Sequence, residues 1–168
     1  HEHNDEDEDE YEDENEDNIQ KIHETGGHMG KLSPQPPQPY RTEWIIFHEE
    51  AHLAGSIDMV FENEDGTLSI YDWKRVKDIN KNQAVKKWTT YSHNPILKHI
   101  PDTNYWHYSL QLNIYKFILE QKYDKKIVKL VLMRFHPNSE TYEETIVPDL
   151  QKEVRQLIEM RIYHNKLV

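Results

Sequence analysis

Asp58, Asp72 and Lys74 are charged side chains whose spacing brings them together. Asp72 and Lys74 stand two apart in Leu68-Ser69-Ile70-Tyr71-Asp72-Trp73-Lys74. Side chains alternate along a strand, so both share a face with Leu68 and Ile70. Asp65-Gly66 is a favoured hairpin pair, and it lays the preceding segment, with Gly55-Ser56-Ile57-Asp58, alongside. Asp58 then meets the same face. Two carboxylates and an ammonium on an apolar row are costly unless they pair or hold a cation. A structural salt bridge of Lys74 with Asp72 or Asp58 is the plain alternative.

A second polar set lies further on. His107, Gln111 and Tyr115 recur every four residues and make a polar stripe beside the apolar one of Trp106, Leu110, Ile114, Phe117 and Ile118. The stripe is either a solvent face or a row of neutral donors aimed at a substrate backbone. His48, His52, His93, His99, His136 and His164 fall in no zinc-type spacing. Zero cysteines exclude a thiolate zinc site, a disulfide scaffold and a cysteine nucleophile. Trp44, Tyr71, Trp73 and Trp106 read as packing residues, with Trp73 opposite Asp72 and in the core beneath the sheet.

These residues need strands and a helix to position them. Thr42–His48, Leu53–Glu62 and Leu68–Val76 read as an antiparallel meander. A short helix is expected around Ile79–Trp88, and a longer one over residues 105–122. Ile127–Phe135 and Thr141–Val147 read as strands. Pro148-Asp149 opens a terminal helix with Leu150, Val154, Leu157, Ile158 and Ile162 on one face. The order predicts an α/β fold, a mixed sheet with helices packed against it.

Placed on these elements, the motifs resemble those of the PD-(D/E)XK nuclease superfamily, in its RecB-type and lambda-exonuclease-like branch. Gly55-Ser56-Ile57-Asp58 is similar to the G-x-x-D motif, Asp72-Trp73-Lys74 to D-x-K, and Gln111-Leu112-Asn113-Ile114-Tyr115 to Q-x-x-x-Y. The wording around Arg41-Thr42-Glu43-Trp44 and Tyr71–Arg75 is similar to versions carried by large DNA viruses. The resemblance covers roughly residues 40–147 and implies a restriction-endonuclease-like core with Mg²⁺- or Mn²⁺-dependent cleavage of DNA, by an exonuclease rather than an endonuclease. It further implies that Asp58, Asp72 and the Trp73 carbonyl bind the metal, with Glu43 as a further candidate ligand. Lys74 then serves the attacking water, and Gln111, Tyr115 and His107 hold substrate. Related nucleases begin with a helix that carries another metal ligand. Residues 1–40 show no such pattern, and His23 and His28 are the nearby candidates.

Charge divides the chain. Residues 1–18 hold twelve Asp or Glu and no Lys or Arg. Removing those twelve from the thirty-one acids leaves nineteen against twenty bases, about +1, so the net charge of −11 says little about the domain. Residues 1–40 read as an acidic low-complexity segment with a Pro-rich linker, and 41–168 as the nuclease-like domain. Lys77, Lys81, Lys86, Lys87 and Lys98 are candidates for a nucleic-acid path, or simply solvated. No stretch is apolar enough for a membrane span, and an intracellular setting with DNA as partner is expected. The rival expectation is an inactive nuclease-like module that binds nucleic acid or protein, with the acidic run as an interaction tail.

Overall fold

A computed structural model describes residues 36–76, 90–136 and 140–167. The helix expected around Ile79–Trp88 lies outside the described residues, as do Lys77, Lys81, Lys86 and Lys87. Five strands, β1 (Gln38–His48), β2 (Leu53–Glu62), β3 (Leu68–Lys74), β4 (Ile127–Arg134) and β5 (Glu143–Ile146), lie in one sheet in that order. The β3–β4 pair is parallel and the others are antiparallel. A parallel pair needs a crossover, and α1 (Asn104–Lys122) lies within it. The mixed α/β sheet expected from the sequence is present. β1 starts at Gln38, three residues inside the expected linker.

The β2–β3 turn follows from its residues. Gly66 takes φ +74°, where a Cβ is unfavourable, and its N–H donates to the Asn63 carbonyl at 2.9 Å. Asp65 Oδ1 accepts the Thr67 N–H at 3.0 Å and so fixes the return. Beyond the turn, Val60, Leu68 and Ile70 point into the main core with Trp44, Ile46, Ile57, Leu112 and Ile118. α1 covers this face of the sheet. A smaller cluster of Ala51, Phe117, Val154 and Ile158 attaches α2 (Gln151–Asn165) to α1.

Asn113, wholly buried on α1, sets how α2 begins. Its Nδ2 donates to the carbonyls of Ser109 and Pro148 at 2.9 and 3.0 Å. Its Oδ1 accepts the Leu150 N–H at 2.9 Å and Gln151 Nε2 at 3.0 Å. The residue preceding α2 is Leu150, which cannot cap a helix; an amide from the neighbouring helix satisfies its N–H instead.

The other face of the sheet carries rings. Phe61, Tyr71, Trp73, Phe135 and Tyr142 follow one another at centroid distances of 5.0, 6.5, 5.8 and 6.3 Å. Among the described residues no helix packs on them. Trp73 is therefore 41% exposed, not in a core as expected. The alternation places it opposite Asp72, but that side lacks a second layer among the described residues.

β1 is an edge strand with three irregularities. Its register shifts between Pro39 and Arg41, Glu43 takes φ +43°, and the Phe47 N–H donates to the Tyr123 hydroxyl at 3.1 Å.

Candidate active site

β3 brings Asp72 to the inner face of the sheet on the same row as Leu68 and Ile70, and there it is 3% exposed. Burial raises its pKa above the ordinary carboxylate range. The Lys74 ammonium opposes that rise, and the Asp58 charge adds to it. Lys74 Nζ lies 2.6 Å from Asp72 Oδ2, an ion pair. This close contact partners the buried oxygen with the ammonium.

Asp58 comes from β2 by a local break in the sheet. The paired register ends at Met59↔Tyr71, and continuing it would set Asp58 across from Asp72. Beyond that point the Trp73 N–H finds an acceptor in Asp58 Oδ2 at 2.8 Å rather than in a ladder carbonyl. The carboxylate thus bridges the two strands where they part.

α1 supplies the remaining wall. Gln111 Oε1 lies 3.4 Å from Lys74 Nζ, and Gln111 Nε2 donates to the Tyr115 hydroxyl at 2.8 Å. Burial is the main cause raising the Tyr115 pKa; the Gln111 bond opposes it, while the Asp72 charge adds to the rise. The phenol is accordingly neutral at physiological pH. Its ring sits against Gly55, where a Cβ would overlap Tyr115 Cε1 and lie 3.1 Å from Cζ. Gly55 is thus needed for close approach, not for an unusual φ.

Asp58, Asp72, Lys74, Gln111 and Tyr115 come together from three elements. His107 lies one turn before Gln111 on the rim, with Nε2 2.6 Å from Asp102 Oδ1. Glu43 is exposed on β1. Among the described residues, no group of three or more His, Cys, Asp or Glu could hold a metal ion. Two residues were not singled out from the sequence. The Tyr108 ring lies beneath the Lys74 ammonium, 4.5 Å from centroid to Nζ. Its place three residues before Gln111 was the available signal. Asn113, inside the Gln111–Tyr115 motif, serves the α1–α2 junction.

This arrangement sets two carboxylates, an ammonium and neutral hydrogen-bonding groups close together, so that charge of either sign could be balanced there. No protein-family model matches the sequence, and neither does any curated protein. Among solved structures the chain is similar to the "Putative exonuclease" from Eubacterium rectale, at 21% identity and a TM-score of 0.44. The match covers 75% of this chain and 45% of that one, so this chain spans less than half of that protein's length. No helix among the described residues is long and apolar enough to cross a membrane.

Proposed function

We propose that the domain is a Mg²⁺- or Mn²⁺-dependent nuclease that hydrolyses DNA phosphodiester bonds, from ends rather than internally. The observation that carries this reading is the convergence of two carboxylates, Asp58 and the buried Asp72, with the Lys74 ammonium 2.6 Å from Asp72 Oδ2. Two like charges drawn together at a buried position are costly unless cations offset them, and one ammonium offsets only one of the two. Two carboxylates and a main-chain carbonyl, completed by water and substrate oxygens, suit Mg²⁺. Asp58, Asp72 and the Trp73 carbonyl would hold it, and Glu43 is a supplementary candidate from the neighbouring strand. A bound ion of this kind lowers the pKa of water and polarises a phosphate.

The chain's own groups do the rest. Lys74, held by Asp72, Gln111 and the Tyr108 ring, orients the attacking water and offsets charge on the phosphate in the transition state. Gln111 and Tyr115 hold the phosphate backbone, and His107 extends that contact along α1. The preference for ends rests on the resemblance of the three motifs to the RecB-type branch.

One observation favours a second reading. Because no third acidic or histidine side chain joins the pair among the described residues, the module could bind nucleic acid or protein without cutting. A cleavage assay on linear, circular and single-stranded DNA decides between them. Degradation of linear DNA with Mn²⁺ or Mg²⁺, abolished by chelation and by Asp72→Asn, is expected. Intact DNA under every condition, or cleavage that survives Asp72→Asn, refutes the nuclease reading.

A further inference from the structure

His48 Nδ1 has two neighbours that it cannot serve at once. The Ala51 N–H donates to it at 3.3 Å, which requires a nitrogen without a proton. Glu50 Oε2 lies 3.1 Å from the same atom, and a carboxylate oxygen bonds there when the nitrogen carries a proton. We propose that His48 is a proton-driven switch at the β1–β2 turn. The neutral ring keeps the turn clasped to the far end of α2; the protonated ring pairs with Glu50 and lets that end go.

The clasp grips the backbone of the turn. Arg161 donates to the Ala51 carbonyl through Nε at 2.6 Å and to the His52 carbonyl through Nη2 at 3.4 Å. Asn165 Nδ2 donates to the Glu50 carbonyl at 3.0 Å. Ala51 is wholly buried, in the cluster with Phe117, Val154 and Ile158. The residue whose N–H meets His48 is therefore also the one that α2 holds by carbonyl and side chain. Once Nδ1 is protonated, the Ala51 N–H faces another donor and has to move, and its carbonyl moves with it. The start of α2 is fastened independently, by Asn113 at Pro148 and Leu150, so the helix pivots there.

The surroundings of the ring poise it between the two partners. On α1, Lys122 Nζ lies 2.7 Å from Glu50 Oε2 and donates to Oε1 at 2.8 Å, which keeps that carboxylate in reach. Also on α1, the Phe117 ring stacks on the imidazole, with centroids 6.2 Å apart and planes 16° apart. On α2, Arg155 lies over the Phe117 ring at 5.7 Å, and Arg161 adds a second cation at the turn. β2 sets Leu53 opposite His48. Burial, helped by Lys122 and opposed by Glu50, holds the His48 pKa below the ordinary imidazole value. The clasped state thus favours the neutral ring. It is intact above the ordinary value and is lost as pH falls through the folded-state value. The inference does not depend on the nuclease reading.

The test is an NMR titration of the full chain from about pH 8 to about pH 5, the range in which imidazoles change charge. The Ala51 amide, the Arg161 Nε–H and the Asn165 side-chain amide are expected to shift with the midpoint of the His48 ring. Below that midpoint they should lose protection against solvent exchange, after correction for the intrinsic rate at each pH. The Leu150 amide, tied to Asn113, should keep its protection throughout. His48→Asn supplies an amide oxygen that accepts from the Ala51 N–H at any pH, so the three signals should then stay in place. His52 and His164 are the imidazoles beside the clasp, and a variant carrying His52→Asn and His164→Asn should respond as wild type does. Arg161 and Asn165 signals that stay constant through the His48 midpoint overturn the proposal. So does an equal response in wild type and His48→Asn. Loss of Leu150 protection at the same pH would show the whole chain unfolding instead of a released helix end, and overturns it as well. The wild-type titration decides by itself if a variant does not fold.

Discussion

Lys74 is held from three sides, by a carboxylate, an amide oxygen and a ring face, and its charge balances that of the buried Asp72. Under the proposed function the ammonium acts mainly as charge accumulates on the phosphate. Lys74→Ala is therefore expected to keep divalent-ion binding, read by titration calorimetry, while turnover drops by orders of magnitude. Equal turnover in variant and wild type would show that another group serves the water. Gly55 tests the opposite wall. A methyl there meets the Tyr115 ring, which is buried and tied to Gln111, so it cannot swing away freely. Gly55→Ala should cost about 1–3 kcal/mol of stability by overpacking. It should also weaken substrate binding through a displaced Gln111. Unchanged melting temperature and affinity would mean that the ring yields without effect.

At the scale of elements, the α1–α2 junction depends on one amide. Asn113→Ala would leave the buried Leu150 N–H and the Pro148 carbonyl without their partners, at about 2–3 kcal/mol by denaturant titration. A loss under about half a kcal/mol would show that water or a local shift replaces them. The β1–β2 turn adds a pH dependence. His48 is 5% exposed, and the Ala51 N–H donates to its Nδ1 at 3.3 Å. Burial, helped by the Lys122 charge and opposed by Glu50, holds its pKa below the ordinary imidazole value. Above that value both folded and unfolded chains carry a neutral ring. As pH falls below it, the unfolded chain protonates first and stability is lost until the folded-state pKa is reached. The melting temperature should fall more steeply from about pH 8 to about pH 5 in wild type than in His48→Asn. Parallel curves would clear His48 of that role. The sequence itself shows why some of this was legible and some was not. β2 runs Leu53–Glu62 as expected because the Asp65-Gly66 turn and strand alternation agree, and α1 matches because its apolar spacing is long and regular. Alternation also separates Trp73 from Asp72, but it cannot say which face of a sheet another layer will cover. Asn113 carries no pattern of its own, since a buried amide and a solvent-facing one look alike until their partners, far along the chain, are in place.

For the molecule as a whole, charge distribution makes the clearest forecast. Twelve carboxylates in residues 1–18 approach the charge density of a nucleic-acid strand, and the rest of the chain is nearly balanced. Contact of this loose kind is screened within about 8 Å at physiological salt. Deleting residues 1–18 is expected to tighten DNA binding at low salt, with the gain shrinking as salt rises. Identical affinities for both proteins at low salt would dispose of competition by the acidic run. The irregularities of β1 have a different consequence. An eleven-residue edge strand with Ile45 72% exposed and Phe47 52% exposed is a natural template for a stranger's backbone. Pro39 offers no N–H, Glu43 turns the chain out of the extended conformation, and Tyr123 occupies the Phe47 N–H. What remains for a foreign strand to zip onto is a few residues at a time, too short a run for two sheets to fuse. The bent edge is thus a poor template for a second copy of this domain to extend the sheet on the β1 side.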